Sequence, residues 1–140
     1  MSPVTYLIDT SAAARVLTDK TLREQWSEHL AEGVVGLCEI TELEMLFSAR
    51  SLADRLTKEE LLAELFNWTP VPDRVYQRAR TVQRLLTESG EHRSAGAVDL
   101  LLAATAELTG LTVLHYDADF DTIARATGQP TKWVALPGAL

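Results

Sequence analysis

Four acids in this sequence stand where a solvated surface is a poor explanation, and a fifth stands close to one of them. Asp9 directly follows Val4-Thr5-Tyr6-Leu7-Ile8, a β-branched and aromatic run that reads as a buried strand. Asp117 and Asp119 follow a second such run, Leu111-Thr112-Val113-Leu114-His115. In open parallel sheets, ligands bind beyond the carboxyl ends of the strands, where strand order reverses. If these two strands are neighbours, the three acids converge there. Asp99 lies in Ala97-Val98-Asp99-Leu100-Leu101-Leu102-Ala103-Ala104-Thr105-Ala106, apolar almost all round and therefore expected to be a buried helix. An ionised carboxylate in such a place is costly unless a cation or strong donors compensate it.

Glu44 is chosen by helical geometry. With Ile40, Leu43, Leu46 and Phe47 taken as the inward stripe of a helix over 41–50, Glu44 falls at the margin of that stripe and is expected to be half-buried. Glu42 falls further out, and Glu39 precedes the regular helix. Each acid has a plainer reading. Asp9 is a possible helix N-cap, although Thr10 or Ser11 would serve as well and leave it free; Asp99 is a possible first-turn acceptor; Asp121 suits a helix start.

Like charges gathered from separate segments need a counterion. An all-oxygen donor set, without Cys or paired His, suits a hard divalent cation, Mg²⁺ or Mn²⁺, rather than zinc. Such an ion activates a water and clamps a phosphate oxygen, so the arrangement leads to metal-assisted phosphoryl chemistry.

The elements that must position these groups alternate. Strands are expected at 4–8, 34–37 and 111–115, with a short edge strand near 68–72 and a last one at 131–134. Helices are expected at 12–17, 21–31, 41–50, from a Thr57/Glu60 capping box to about 66, at 73–89, at 94–109 closed by Gly110, and to about 126 before Gly128. This alternation implies crossover connections and a mainly parallel sheet covered on both faces.

The 140 residues amount to about one domain, residues 1–140, with no internal repeat or linker-like run. Thirteen Lys+Arg against 20 Asp+Glu give a net charge of −7, which excludes a protein that is basic all over but leaves a local basic groove open. The lone Cys38 makes no internal disulfide and no cysteine-rich zinc site. Met1-Ser2-Pro3-Val4 opens no secretion signal and no stretch approaches a membrane span, so a cytoplasmic protein with no membrane partner is expected.

Four segments in order, Leu7-Ile8-Asp9-Thr10-Ser11-Ala12, Glu44-Met45-Leu46-Phe47-Ser48-Ala49-Arg50, His92-Arg93 ahead of Asp99-Leu100-Leu101-Leu102-Ala103-Ala104, and His115-Tyr116-Asp117-Ala118-Asp119-Phe120-Asp121, resemble the PIN-domain family. More narrowly, the chain resembles the VapC-type toxin ribonucleases over essentially its whole length. The resemblance implies an α/β fold, a three-layer α/β/α sandwich with a four- or five-stranded mainly parallel sheet. It also implies Mg²⁺- or Mn²⁺-dependent RNA cleavage by a homodimer restrained by a VapB-like antitoxin. The family's first acid falls on Asp9, its helical glutamate on Glu44, its buried helix acid on Asp99, and its last acids on Asp117 and Asp119. Asp9, Glu44, Asp99 and Asp117 are thus the catalytic candidates, and Asp9, Asp99, Asp117 and Asp119 the metal candidates. The family's small hydroxyl after the first acid is met by Thr10 and Ser11, which with Arg93 are the candidate substrate contacts. Cys38 stands where many relatives are expected to carry a small polar residue.

The expected reaction is in-line attack of an activated water on an RNA phosphate with expulsion of the 3′-oxygen, leaving 5′-phosphate and 3′-hydroxyl ends. No histidine is needed as base; packing or capping is the expected role of His92 and His115, and a surface position that of His29. Two other classes compete. An Asp-nucleophile phosphatase wants a second Asp two residues after the first, where Ser11 stands. An inactive PIN-like module that only binds RNA or protein would not need the full acid set.

Overall fold

Five strands form one all-parallel sheet, in a computed structural model that describes residues 3–140. Met1 and Ser2, half of the opening segment read for a signal, lie outside the described residues. In chain order the elements are β1 (Tyr6–Ile8), α1 (Thr10–Thr18), α2 (Lys20–Gln25), α3 (Ser27–Ala31), β2 (Val35–Leu37), α4 (Glu39–Phe47), α5 (Leu52–Leu65), β3 (Asn67–Trp68), α6 (Val75–Glu88), α7 (Ala97–Thr109), β4 (Thr112–His115), α8 (Asp119–Thr127) and β5 (Thr131–Trp133). The strand order is β3-β2-β1-β4-β5, so the chain moves outward on one side of β1 and returns to its other side at β4. That reversal puts the carboxyl ends of β1 and β4 side by side, in the register Leu7↔Val113 and Ile8↔Leu114.

Side chains alternate across a strand, and the core divides accordingly. Leu7 and Val113 join one buried cluster with Val75, Ala79, Val82 and Leu86 of α6, the inner face of α7, and Phe120 and Ile123 of α8. Ile8 and Leu114 join the other, with Ala12, Ala13 and Val16 of α1, Leu22, Trp26, Leu46 of α4 and Leu62 of α5. Helices therefore cover both faces, the expected three-layer α/β/α sandwich. The expected edge strand is β3, shortened to two residues by the prolines behind it. Gly110 and Gly128 end α7 and α8 with φ of 73° and 75°, left-handed values that glycine adopts without strain.

Four local expectations are corrected. The helix expected over 21–31 is broken at Trp26, whose φ and ψ of −97° and 3° leave the helical region while its indole donates to the Val134 carbonyl at 2.9 Å. The capping box at Thr57 is not used: Ser51 caps α5 by accepting the Asp54 N–H at 3.1 Å, and the Thr57 hydroxyl bonds back to the Ala53 carbonyl inside the helix. Asp9, rather than Thr10 or Ser11, is the N-cap of α1.

The fourth correction concerns α4. This helix starts at Glu39, inside the segment expected to precede it. The buried Thr41 hydroxyl donates to the Ile8 carbonyl at 3.0 Å and sets the helix's rotation. Thr41 and Leu46 turn inward, while Leu43 and Phe47 are 65% and 87% exposed. Glu44 lies on the same outward side and is exposed, not half-buried.

Candidate active site

The site is built at the carboxyl ends of β1 and β4 and closed by the first turn of α7. Asp9 is buried at the tip of β1, where one carboxylate oxygen accepts the Ala12 N–H at 3.0 Å and both accept the Ser11 hydroxyl at 2.8 Å. Burial raises its pKa to about 6; the N–H of Ala12 and the contacts from Ser11 oppose that shift, and the charge of Asp117 adds to it.

Asp117 follows β4. Its backbone N–H donates to Nδ1 of His115 at 3.1 Å, and one of its carboxylate oxygens accepts the N–H of Asp119 at 2.9 Å. His115 is fully buried against Phe120 and Trp133, and burial holds its pKa below the usual histidine value. With Nδ1 accepting, the neutral ring carries its proton on Nε2. It packs and orients, as expected, and takes no place at the cluster. His29 and His92 are exposed.

Asp99, in the first turn of α7, is half-buried, with its pKa raised to about 6. Burial is the largest cause, followed by the charges of Asp117, Asp9, Asp119 and Glu44. All four of the other candidate acids thus act on this one carboxyl. Asp119, the first residue of α8, is also shifted upward, by burial and then by Asp117.

Carboxylate oxygens of Asp99, Asp117 and Asp119 lie within 4.8 Å of one another. Two oxygens on opposite sides of Mg²⁺ are about 4.2 Å apart, so the trio is within a small side-chain adjustment of closing on such an ion. The donors are all carboxylate oxygens and their charges repel; the pKa values of Asp99 and Asp119 are raised, by burial first and then by neighbouring carboxylates, and these residues fit a hard divalent cation. Asp9 stands outside the trio, held by Ser11 and Ala12. Glu44 approaches from α4 through a hydrogen bond from the Thr10 hydroxyl.

The candidate substrate contacts are divided. The hydroxyls of Thr10 and Ser11 are directed at Glu44 and Asp9, respectively. Arg93 lies in the turn between α6 and α7, with its side chain exposed. Sequence reasoning missed two supporting features. Ser11 accepts the Tyr116 N–H at 2.9 Å, and the Arg15 guanidinium lies 4.5 Å from the centre of the Tyr116 ring. Both span most of the chain, and no local pattern announces them.

The chain matches the family model described as PIN domain over residues 6–126. It is 46% identical to "Ribonuclease VapC2" of Mycobacterium tuberculosis over 134 residues, 94% of each chain. It is 41% identical to "Ribonuclease VapC21" of the same organism over 133 residues, 95% of this chain and 96% of that one. Among solved structures it superposes on a chain of the "DNA bound VapBC" crystal structure from Salmonella typhimurium with a TM-score of 0.77 at 19% identity, covering 94% of this chain and 99% of that one. With most of its length inside the family model and relatives above 40% identity along nearly the whole chain, this protein belongs to the PIN-domain family and, within it, to the VapC proteins.

Proposed function

We propose that this chain is a metal-dependent endoribonuclease, the toxin of a toxin–antitoxin pair, held in check by a VapB-like antitoxin. The observation that carries this reading is the meeting of Asp99, Asp117 and Asp119 within 4.8 Å, with Asp9 and Glu44 close enough to raise the pKa of Asp99. Relatives named ribonucleases along the whole chain support RNA as the substrate.

Asp99, Asp117 and Asp119 would hold Mg²⁺ or Mn²⁺, with Asp9 joining directly or through water. Bound there, such an ion would supply an activated water and charge neutralisation for the phosphate. Ser11 locks the Asp9 carboxylate in one orientation and ties it to the β4 end; His115 does the same for the backbone of Asp117. Thr10 keeps Glu44 turned toward the cluster, where it takes a proton from, or orients, the incoming water. Thr10, Ser11 and Arg93 line the approach of the RNA, and the active form is a homodimer acting in the cytoplasm.

An antitoxin that inhibits this site suits its charge by inserting a cation among the acids. It also suits α4 and α5, where Leu43 and Phe47, one turn apart, and Leu52 and Leu56, again one turn apart, are exposed beside Glu44's helix.

The test is incubation of antitoxin-free protein with RNA. Cleavage with Mn²⁺ or Mg²⁺ that stops in EDTA and in Asp99→Asn is expected; cleavage that persists in either would overturn the mechanism. A phosphatase would instead release phosphate from a small phosphomonoester, and an inactive module would bind RNA and leave it whole.

A further inference from the structure

Helix α6 carries the densest positive charge of an acidic protein. Arg74, Arg78, Arg80 and Arg84, four of the chain's 13 basic residues, fall within 11 positions, and no acid lies between Asp73 and Glu88. Only the inner one of the four is neutralised: Arg78 makes a two-pronged ion pair with Glu107 of α7, at 2.5 and 3.0 Å. Arg74 and Arg80 are exposed and make no ion pair among the described residues; Arg84 has only Glu88, at 3.7 Å and itself exposed.

On its exposed outer face α6 presents Tyr76, Gln77, Arg80, Thr81 and Arg84 together, with the Tyr76 side chain 67% exposed. Beside this face, between α6 and Leu108 of α7, a hollow of about 250 Å³ is lined by Arg74, Gln77, Arg78 and Thr81. Exposed cations, amide and hydroxyl donors and an exposed aromatic ring along about 15 Å of helix make a surface for a single-stranded polyanion: phosphates on the arginines, a base on the tyrosine. A protein partner acidic enough to seek these arginines would face repulsion from the rest of this chain, net −7, wherever it spread beyond α6. One nucleic-acid strand needs only this helix face.

The geometry points to α6 as an RNA-docking surface separate from the acidic cluster, on which Arg80 and Arg84 hold backbone phosphates of the RNA that is cut and Tyr76 stacks on one of its bases. The choice of RNA rests on the ribonuclease reading; the surface itself does not. In the chain, α6 leads through the turn carrying Arg93 into α7, the helix of Asp99. Such a surface resolves the conflict between an overall charge that repels RNA and an RNA substrate.

The experiment measures binding of a fluorescent single-stranded RNA of about 30 nucleotides in EDTA, across a salt series, so that nothing is cut. Arg80→Gln/Arg84→Gln is expected to bind several-fold more weakly and to lower the slope of log affinity against log salt by about 1.4, about 0.7 per phosphate released. Tyr76→Ala is expected to weaken binding several-fold without changing the slope. Arg80→Lys is expected to keep the slope. Cleavage with Mn²⁺ of an oligonucleotide too short to reach α6 is expected to be unchanged in all of them. An unchanged affinity and salt slope in the double variant overturns the proposal. So does a double variant that binds RNA normally but no longer self-associates by sedimentation, which makes this face an interface between copies. If the wild-type chain never cleaves yet binding in EDTA still depends on Arg80 and Arg84, the ribonuclease reading fails and the surface stands. Cleavage with binding indifferent to both arginines is the reverse.

Discussion

The Ser11 hydroxyl accepts the backbone N–H of Tyr116 at 2.9 Å, across 105 positions of sequence. Because the same hydroxyl donates to Asp9, one side chain joins the ends of β1 and β4 and sets the acid between them. Ser11→Ala removes a bond to a charged group and leaves a partly buried N–H without its partner, at a cost of about 1–3 kcal/mol. The melting temperature is expected to fall by several degrees, and metal-dependent cleavage to fall by more than the loss of folded protein accounts for. Ser11→Thr, which keeps the hydroxyl, is expected to recover part of both. Thermal denaturation together with an RNA cleavage assay checks this.

Asp99 exerts opposite effects on stability and activity. Without metal its carboxylate is half-buried among like charges, so Asp99→Asn is expected to raise stability at pH 7 by about 1–2 kcal/mol, after allowance for its partial solvent screening. The same change is expected to abolish at least about 99% of cleavage, since the group's role is to hold the ion. It is also expected to blunt the rise in melting temperature on adding Mn²⁺, which for the wild-type chain approaches about 2.7 kcal/mol of stabilisation at a hundred times the dissociation constant. Calorimetry with and without Mn²⁺ measures both.

The pH dependence of the metal-free chain follows from the same groups. Asp9 and Asp99 titrate at about 6 when folded and near 3.8 when unfolded, so the folded chain binds more protons between those values. The stability they confer is full below about pH 4 and is lost as pH rises through about 6. In EDTA, wild type minus Asp99→Asn is therefore expected to decline steadily between pH 4 and 7. A difference that is flat or rises with pH would show that Asp99 is not held protonated. Added Mn²⁺ is expected to remove most of the decline, because a cation replaces the protons.

Phe47 is 87% exposed, so Phe47→Glu is expected to change the stability of the free chain by no more than about 0.5 kcal/mol. If α4 and α5 form the antitoxin's seat, the same substitution is expected to weaken antitoxin binding by at least tenfold while leaving RNA cleavage by the free chain intact. Titration calorimetry with the cognate antitoxin, identified from the neighbouring reading frame, reads the first effect, and the cleavage assay the second.

Much of the architecture was legible because its signals are local. Leu7-Ile8 and Val113-Leu114 are short apolar runs closed by polar residues, Gly110 and Gly128 stop their helices where left-handed backbone is needed, and alternation of strand with helix dictates a parallel sheet covered on both faces. Asp9 and Asp117 draw attention because each follows an apolar run and Asp99 because it lies inside one, whereas Glu44, picked from a helical stripe, is exposed rather than half-buried. What the sequence determined by itself was therefore the kind of layer and which carboxylates were out of place. Only the tertiary structure decided how α4 is turned, because the Thr41 hydroxyl's bond to the Ile8 carbonyl is made across the fold and outweighs the stripe its apolar residues suggest. The same holds for the grouping of Asp99, Asp117 and Asp119 apart from Asp9, which depends on how Ser11, Ala12 and Tyr116 tie the first acid down. Distances of a few ångströms between segments a hundred residues apart are set by the packing of a whole sheet, and no spacing along the chain encodes them.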